Sequence, residues 1–193
     1  MNFSNKIWKT KKSRINTSER FKSNDFISQV LIVYYSLFII IVTVVDIQNK
    51  EFNFEVFTLI LSITLLIVSV FILSMNFKER SLKLQNCYIK LDKIYREMEI
   101  KEDNNHDISQ LKSKYYNILD LTENHTTCDF LKVEFEVRNE NKQNENDSNK
   151  KQYDNKPFTW DKWILLGICI FKRYVLISFF FLIPIIVLIC VLT

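Results

Sequence analysis

Few residues of this chain have side chains suited to catalysis or metal binding. The two imidazoles belong to His106 and His125, and neither has a second His or Cys at metal-ligand spacing. Acidic residues are numerous but scattered, without the paired carboxylates that indicate general acid–base chemistry. Gly167 is the single glycine, whereas phosphate-binding loops need several glycines so that backbone N–H groups can surround the anion. We therefore expect a protein that is not an enzyme and that has no metal or cofactor.

Polar side chains recur at seven-residue spacing inside two apolar segments. These are Gln29, Ser36 and Thr43 in the first segment, and Thr58, Ser62, Ser69 and Asn76 in the second, where Thr58 lies one turn earlier. This spacing places each set along one face of a helix. Such a stripe either lines a pore or holds helices together, and the packing role is the more common one because small and polar residues favour close approach in lipid. Neither stripe contains an ionised residue, so a charged selectivity ring is not predicted.

Three charge-free blocks must position these stripes. They cover residues 26–45, 56–77 and 174–193, and each is about 20 residues long, which suffices for a helix to cross the hydrocarbon core. The first block lacks a small-residue cleavage site and is followed at once by the second, so we interpret it as a retained span rather than a signal peptide. The sequence therefore predicts an all-α membrane protein with an N-terminal two-helix transmembrane hairpin at residues 26–77.

The distribution of charge predicts the orientation of the spans. Residues 1–25 carry seven Lys or Arg and two acids, the loop 46–55 carries one Lys and three acids, and residues 78–162 are nearly balanced. By the positive-inside rule, the N-terminus and the region after the hairpin are cytoplasmic, in the inner membrane, and the C-terminal third transmembrane helix exits. The basic arm 1–25 is either a flexible segment or a short amphipathic helix on an anionic leaflet.

The second span is expected to continue as a cytoplasmic helix with an apolar seam. Its apolar residues recur at spacings of three and four, namely Leu84, Cys87, Leu91, Ile94 and Met98. The seam is either a short coiled coil that joins copies of the chain or the buried face of a helix that packs within one chain. The first alternative makes a homo-oligomer the expected state.

The rest of the chain is expected to be helical, apart from a turn at 101–107 and a polar linker at 139–159. Residues 131–138 alternate between apolar and charged, a strand pattern. Because a strand without a partner is hard to stabilise, we predict that the helical region 78–138 ends in a helix instead. Residues 160–173 are interpreted as an interfacial helix separate from the span 174–193, since one continuous helix would place Lys172 and Arg173 in hydrocarbon at roughly 3 kcal/mol each.

The cysteines show no metal-binding or redox motif. Cys87, Cys128, Cys169 and Cys190 lack CxxC spacing. The predicted topology puts two of them in the reducing cytosol and two in or near the membrane. We therefore expect neither a disulfide nor a zinc site.

The order of these features resembles a known family. Ser18-Glu19-Arg20-Phe21 precedes a tight two-span hairpin and a cytoplasmic helix, and a tyrosine-rich helix with Tyr115 and Tyr116 is followed by Glu123-Asn124-His125. Over residues 11–138 the chain resembles the SLATT family of two-transmembrane effector domains, which are found beside nucleotide-sensing and nucleotide-synthesising proteins in bacterial conflict systems. The third span is additional to that two-span plan.

The resemblance implies a membrane effector that forms a pore or otherwise perturbs the membrane when a partner sensor or synthase triggers it. The lipid bilayer and such a partner protein are the expected partners, and direct binding to nucleic acid is not expected. The alternative is a membrane anchor or scaffold that recruits a cytosolic partner through residues 78–138 and conducts nothing.

Overall fold

The computed structural model describes residues 3–48, 55–103, 108–144 and 159–192. Its helices are α1 (Phe3–Gln48), α2 (Glu55–Ser74), α3 (Phe77–Asp103), α4 (Ser109–Asp120), α5 (Thr127–Asn144) and α6 (Trp160–Leu192). The described ranges contain no strand, so the all-α class is confirmed, as is the helical interpretation of 129–138. His106, residues 49–54 of the first loop and most of the polar linker lie outside the described residues.

The helices form two compact units. The first, which we call the helical unit, comprises Met1–Phe21 and Lys78–Cys169. The second, which we call the membrane unit, comprises Lys22–Phe77 and Ile170–Thr193. Helices α1 and α6 each contribute residues to both units.

The first part of α1 forms part of the core of the helical unit. Ile7 is fully buried, and Trp8 and Phe21 are 7% and 4% exposed. Ile7 packs in an apolar cluster with residues of α3 and α4. The prediction of a flexible or membrane-surface arm is therefore wrong, because the large apolar residues among the lysines are the buried face of a helix.

The seam of α3 is also buried within the chain. Leu84, Cys87, Leu91, Ile94 and Met98 are all at most 5% exposed. Four of them, from Cys87 onward, join Ile7 of α1 and Leu111 and Tyr115 of α4 in one cluster. The seam is thus occupied by helices of the same chain, which is the second of the two alternatives that its spacing left open.

The second span does not continue smoothly into α3. Helix α2 ends at Ser74, and Asn76 has φ of 49°. Asparagine is among the few residues other than glycine that adopt this left-handed conformation readily. The N–H groups of Met75 and Asn76 donate to the carbonyls of Ile72 and Leu73, which closes the last turn. The prediction of one continuous helix is therefore wrong at Asn76.

Helix α6, by contrast, runs without a break across Lys172 and Arg173. Arg173 Nη2 donates to Ser23 Oγ at 2.8 Å and to Asn24 Oδ1 at 3.4 Å. Ser23 and Asn24 precede the first apolar block, so Arg173 has polar partners at the end of the membrane unit where that block begins. The expected break between an interfacial helix and a separate span was therefore wrong, because the prediction did not allow for polar partners from α1 that accommodate the cation within one continuous helix.

The surface of the membrane unit is apolar. Three helices, α1, α2 and α6, are long and apolar enough to cross a bilayer. Phe26, Leu66 and Leu73 are 68%, 65% and 74% exposed. A continuous exposed surface of this kind is stable in lipid and not in water. The chain is therefore a membrane protein.

Candidate functional site

The polar stripe predicted on the first span has its hydrogen bonds within α1. Ser36 Oγ and Thr43 Oγ1 each donate at 2.8 Å to a backbone carbonyl three or four residues earlier. Gln29 Nε2 donates to Asp25 Oδ2 at 2.9 Å, one turn earlier. Because these donors are satisfied inside their own helix, the stripe can lie in an apolar layer at small cost.

The stripe on α2 is satisfied in the same way. Thr58 and Ser62 donate to carbonyls three and four residues earlier, at 3.0 and 2.8 Å, and Ser69 donates at 2.8 Å to the carbonyl three residues before it. Thr58 is buried, Ser62 is exposed and Ser69 is partly buried. Asn76 lies beyond the end of α2, so the structure does not place it on this stripe.

The membrane unit contains an apolar cavity of about 400 Å³ between α1, α2 and α6. Its walls include Phe38 of α1, Leu61 and Thr64 of α2, and Phe180 and Pro184 of α6. Thr64 Oγ1 donates to a carbonyl of its own helix at 2.8 Å. None of the seven stripe residues lines this cavity. An ion would find almost no polar group here to replace its hydration shell, whereas an alkyl chain would meet compatible surface.

Two tyrosines of α1 support the proline of α6, and sequence reasoning missed them. Pro184 lacks an N–H, so the carbonyl of Phe180 four residues earlier loses its helical partner. Tyr35 OH donates to that carbonyl at 2.9 Å, and Tyr34 OH donates to the next one, of Phe181, at 3.1 Å. In lipid a neighbouring helix has to satisfy such a carbonyl because water is absent. A Tyr pair in one apolar block and a Pro in another are the sequence signal for this contact.

The tyrosines of the family-like motif hold α4 on α1. Tyr115 is 1% exposed, shares a 2.9 Å hydrogen bond with Thr10 Oγ1 and packs edge to face on Phe3 with ring centroids 5.3 Å apart. Tyr116 is exposed, and its hydroxyl accepts a hydrogen bond from Lys6 Nζ at 3.2 Å. The motif therefore supports the fold of the helical unit by fixing the N-terminal residues of α1.

Glu123 and Asn124 of the same motif lie in the connection between α4 and α5. The Glu123 carboxylate accepts two hydrogen bonds from the guanidinium of Arg80, and these bonds raise the pKa of Arg80. The same guanidinium lies 4.1 Å from the centroid of the Phe21 ring. Asn124 Oδ1 accepts the backbone N–H of His125 at 3.0 Å. This connection is thus bonded to α3 directly, and Arg80 in turn contacts Phe21 of α1.

A buried cation lies close to His125. Arg14 is 3% exposed, and its Nε and Nη1 atoms have no hydrogen-bond partner among the described residues. Burial lowers the pKa of Arg14. His125 stacks on Phe130, and burial followed by the nearby charge of Arg14 lowers the pKa of its imidazole. We therefore expect a neutral His125 at pH 7, which agrees with a structural role.

Asp129 is the centre of a polar cluster that the sequence analysis missed. It is 1% exposed and accepts hydrogen bonds from Thr126 Oγ1 at 2.8 Å, Thr17 Oγ1 at 3.0 Å and Arg20. Burial alone would raise the pKa of Asp129, but the bonds from Thr126 and the charge of Arg20 lower it below the ordinary value. Thr126 and Asp129 form a capping box at the start of α5, and the T-x-x-D pattern before an apolar run was the available signal.

A disulfide joins Cys128 of α5 to Cys169 of α6, with Cα atoms 6.2 Å apart. This corrects the expectation that no disulfide is present. The two residues are 41 positions apart in the sequence, and only the antiparallel packing of α5 and α6 brings them together. Cys87 is a free thiol buried in the core of the helical unit.

Comparison with known proteins agrees with the architecture. A search of the curated proteins and of the solved structures found no match. The family model described as SMODS and SLOG-associating 2TM effector domain family 5 matches residues 2–192. The match includes α6, so the third apolar helix lies within the family domain rather than being an appended tail. The chain therefore belongs to SLATT family 5, a family of two-transmembrane effector domains associated with SMODS and SLOG conflict systems.

Proposed function

We propose that this chain is a membrane effector of a bacterial conflict system that permeabilises the inner membrane when a partner protein detects invasion. Its family membership and its apolar membrane unit support an action on lipid. We also propose that this action involves no enzymatic chemistry. The trigger then comes from a nucleotide-sensing or nucleotide-synthesising partner.

The observation that carries the proposed topology is the packing of residues 3–21 against α3 and α4. These segments precede and follow the first two spans. Because they pack in one unit, both lie on one side of the bilayer, and the spans between them leave that side and return to it. The excess of Lys and Arg in residues 1–25 favours the cytoplasm for this side.

A pore in this proposal needs more than one copy of the chain. The cavity within the membrane unit is apolar, so a water-filled path would instead use outer faces that carry hydroxyl groups. Ser62 and Ser69 lie seven residues apart on α2, and Ser62 is exposed. We propose that this face lines the path between copies of the chain.

The experiment measures membrane potential and dye entry in bacteria after induced expression, with and without the neighbouring gene products. The double variant Ser62→Leu/Ser69→Leu is expected to abolish depolarisation while the protein remains in the membrane fraction. Ser74→Leu is the matched control, because Ser74 is an exposed residue of α2 that lies off this face. Equal depolarisation by the wild type and the double variant would refute the assignment of this face.

An alternative function as a non-conducting anchor has a specific observation in its favour. The stripe hydroxyls are satisfied within their own helices, so nothing in their bonding requires water. The anchor predicts an intact membrane potential with active partners present, and full function when the spans are replaced by unrelated ones.

A further inference from the structure

We propose that Cys128 and Cys169 form a reversible thiol–disulfide pair through which cytosolic oxidant restrains the effector. The proposal rests on the cytoplasmic orientation and the membrane activity given under the proposed function. In bacterial cytosol a stable structural disulfide is rare, and disulfides found there are usually transient and redox-sensing. The fold pairs Cys128 with Cys169 on the reducing side of the membrane. A disulfide at this place is therefore best explained as one that is reversibly formed and reduced.

Three other contacts between α5 and α6 show that the two cysteines face each other in the folded unit. Lys162 Nζ donates to Glu134 Oε2 at 2.6 Å, and Trp163 packs edge to face on Phe135 with centroids 5.3 Å apart. Arg138 also lies 5.6 Å from the Trp163 ring. Glu134 and Phe135 are about two turns beyond Cys128, and Lys162 and Trp163 are about two turns before Cys169, so an antiparallel helix pair predicts the Cys pairing.

The surroundings assign different roles to the two sulfurs. Cys128 is the second residue of α5, and the partial positive charge at a helix N-terminus favours the thiolate form there. The neighbouring carboxylate of Asp129 would repel a thiolate at Cys128. This repulsion is weakened because Thr126 and Arg20 bind the carboxylate. Both cysteines are partly exposed, unlike buried Cys87. Cys128 is thus the sulfur that meets the oxidant, and Cys169 is the resolving sulfur.

The oxidant class is a hydroperoxide. With hydrogen peroxide, the Cys128 thiolate attacks one oxygen, the O–O bond breaks, and a sulfenic acid forms while hydroxide leaves and takes up a proton as water; an organic hydroperoxide would release an alcohol instead. The Cys169 thiolate then attacks the sulfenic sulfur, the S–S bond forms, and hydroxide leaves and takes up a proton as water. Two electrons pass from the two sulfurs to the peroxide. A cytosolic dithiol reductant returns two electrons and two protons by thiol–disulfide exchange.

The position of Cys169 gives the bond its effect. Cys169 is the last residue of α6 that belongs to the helical unit, and the same helix continues as the third apolar segment. In the reduced state the ion pair and the aromatic contact hold the start of α6 on α5. In the oxidised state a covalent bond adds to them, so α6 cannot separate from α5. In this proposal permeabilisation requires the start of α6 to move away from α5, so oxidation is expected to suppress it.

The test uses full-length protein in cells, with thiols trapped by acid and counted by maleimide gel shift. Wild type is expected to take four maleimide adducts at rest and two after a hydrogen peroxide pulse, with four restored by dithiothreitol. Cys87→Ala, which keeps the pair, should still lose two adducts. Cys169→Ser should accumulate sulfenic acid at Cys128, which reacts with dimedone. Cys128→Ser should not accumulate sulfenic acid at Cys169. A pair that stays closed at rest, or stays open after peroxide, overturns the proposal.

Depolarisation measured in the same cells tests the regulatory step. Peroxide should reduce depolarisation by wild type and by Cys87→Ala but not by Cys128→Ser; an equal response of all three overturns regulation. If no version depolarises the membrane, the proposed membrane activity fails, and the thiol counts still decide whether the pair is reversible. Labelling of Cys128 by an impermeant maleimide from outside the inner membrane would overturn the cytoplasmic premise and the proposal with it.

Discussion

At the residue scale, buried polar groups of the helical unit specify which surfaces of α1 and α5 meet. Asp129 binds the start of α5 to Thr17 and Arg20 of α1, and a carboxylate left without such partners would not remain ionised at this depth. Asp129 therefore contributes to stability through its negative charge as well as through its hydrogen bonds.

Replacing Asp129 by Asn is expected to destabilise the protein by about 2 kcal/mol, because the variant loses charge-assisted hydrogen bonds to Arg20. Thermal unfolding in detergent measures the change. Asp120→Asn is the matched control, since Asp120 is exposed at the end of α4, and it should be nearly neutral. Comparable losses in both variants would contradict the role assigned to the cluster.

Acid should weaken the helical unit. The folded pKa of Asp129 is lowered, so its stabilisation is present above the unfolded pKa and is lost as pH falls through the folded pKa. The melting temperature in detergent is therefore expected to decrease below about pH 4. Asp129→Asn should lose less stability than wild type over the same pH interval, and an unchanged pH profile would count against this assignment.

In the membrane unit, Tyr35→Phe is expected to cost about 1 kcal/mol, the scale of an interhelical hydrogen bond in lipid. The variant leaves the Phe180 carbonyl without its donor. In a Pro184→Ala background the new N–H of residue 184 can bond that carbonyl, so the same Tyr35→Phe change should cost less. Unfolding of all four proteins in mixed micelles gives the double-mutant cycle, and strictly additive effects would refute the coupling.

At the element scale, α3 is a core helix of its own chain. Leu91 is fully buried, and Leu91→Ala is expected to destabilise the helical unit by about 3 kcal/mol through lost burial and a cavity. Ile89, which is 44% exposed on the same helix, provides the control Ile89→Ala. If Leu91→Ala instead changed oligomer size with unaltered stability, the seam would be an interface between chains.

The junction of α2 and α3 depends on the left-handed conformation of Asn76. Asn76→Ala is expected to cost roughly 1 kcal/mol, because alanine lacks the short polar side chain that makes asparagine tolerant of this region, whereas Asn76→Gly should be tolerated because glycine has no Cβ. Unfolding in detergent with both variants separates backbone conformation from side-chain loss. Equal losses would indicate that the Asn side chain matters instead.

The elements themselves were largely predictable, and their partners were not. Uninterrupted apolar blocks predicted the spans, and the spacing of Leu84 to Met98 predicted the buried face of α3. Ile7 and Trp8 belong to a core formed with residues from a distant part of the chain. Composition could not reveal this, because the basic residues around them are also typical of a solvent-exposed arm. Composition also could not predict that Arg173 contacts Ser23. The polar partners of a cation in a membrane protein depend on which helix packs beside it.

At the scale of the whole molecule, the helical unit is built from two segments separated by the hairpin. We expect residues 1–21 joined to residues 78–144 by a flexible linker to give a soluble helical protein, and residues 78–144 alone to aggregate. The difference arises because the second protein exposes the faces that Ile7 and Phe21 cover. Circular dichroism and gel filtration measure the outcome, and independent folding of 78–144 would contradict the central role of α1.

The packing of Ile7 against Tyr115 also sets an order on biogenesis. A ribosome releases the N-terminal residues first, yet their partners in α3 and α4 emerge only after both spans of the hairpin have been made. Insertion into the bilayer therefore precedes folding of the helical unit, and Ile7, Trp8 and Phe21 remain uncovered in the interval. We therefore expect chaperones to bind a nascent chain stalled before α4, and we expect translation speed to influence how much effector a cell accumulates.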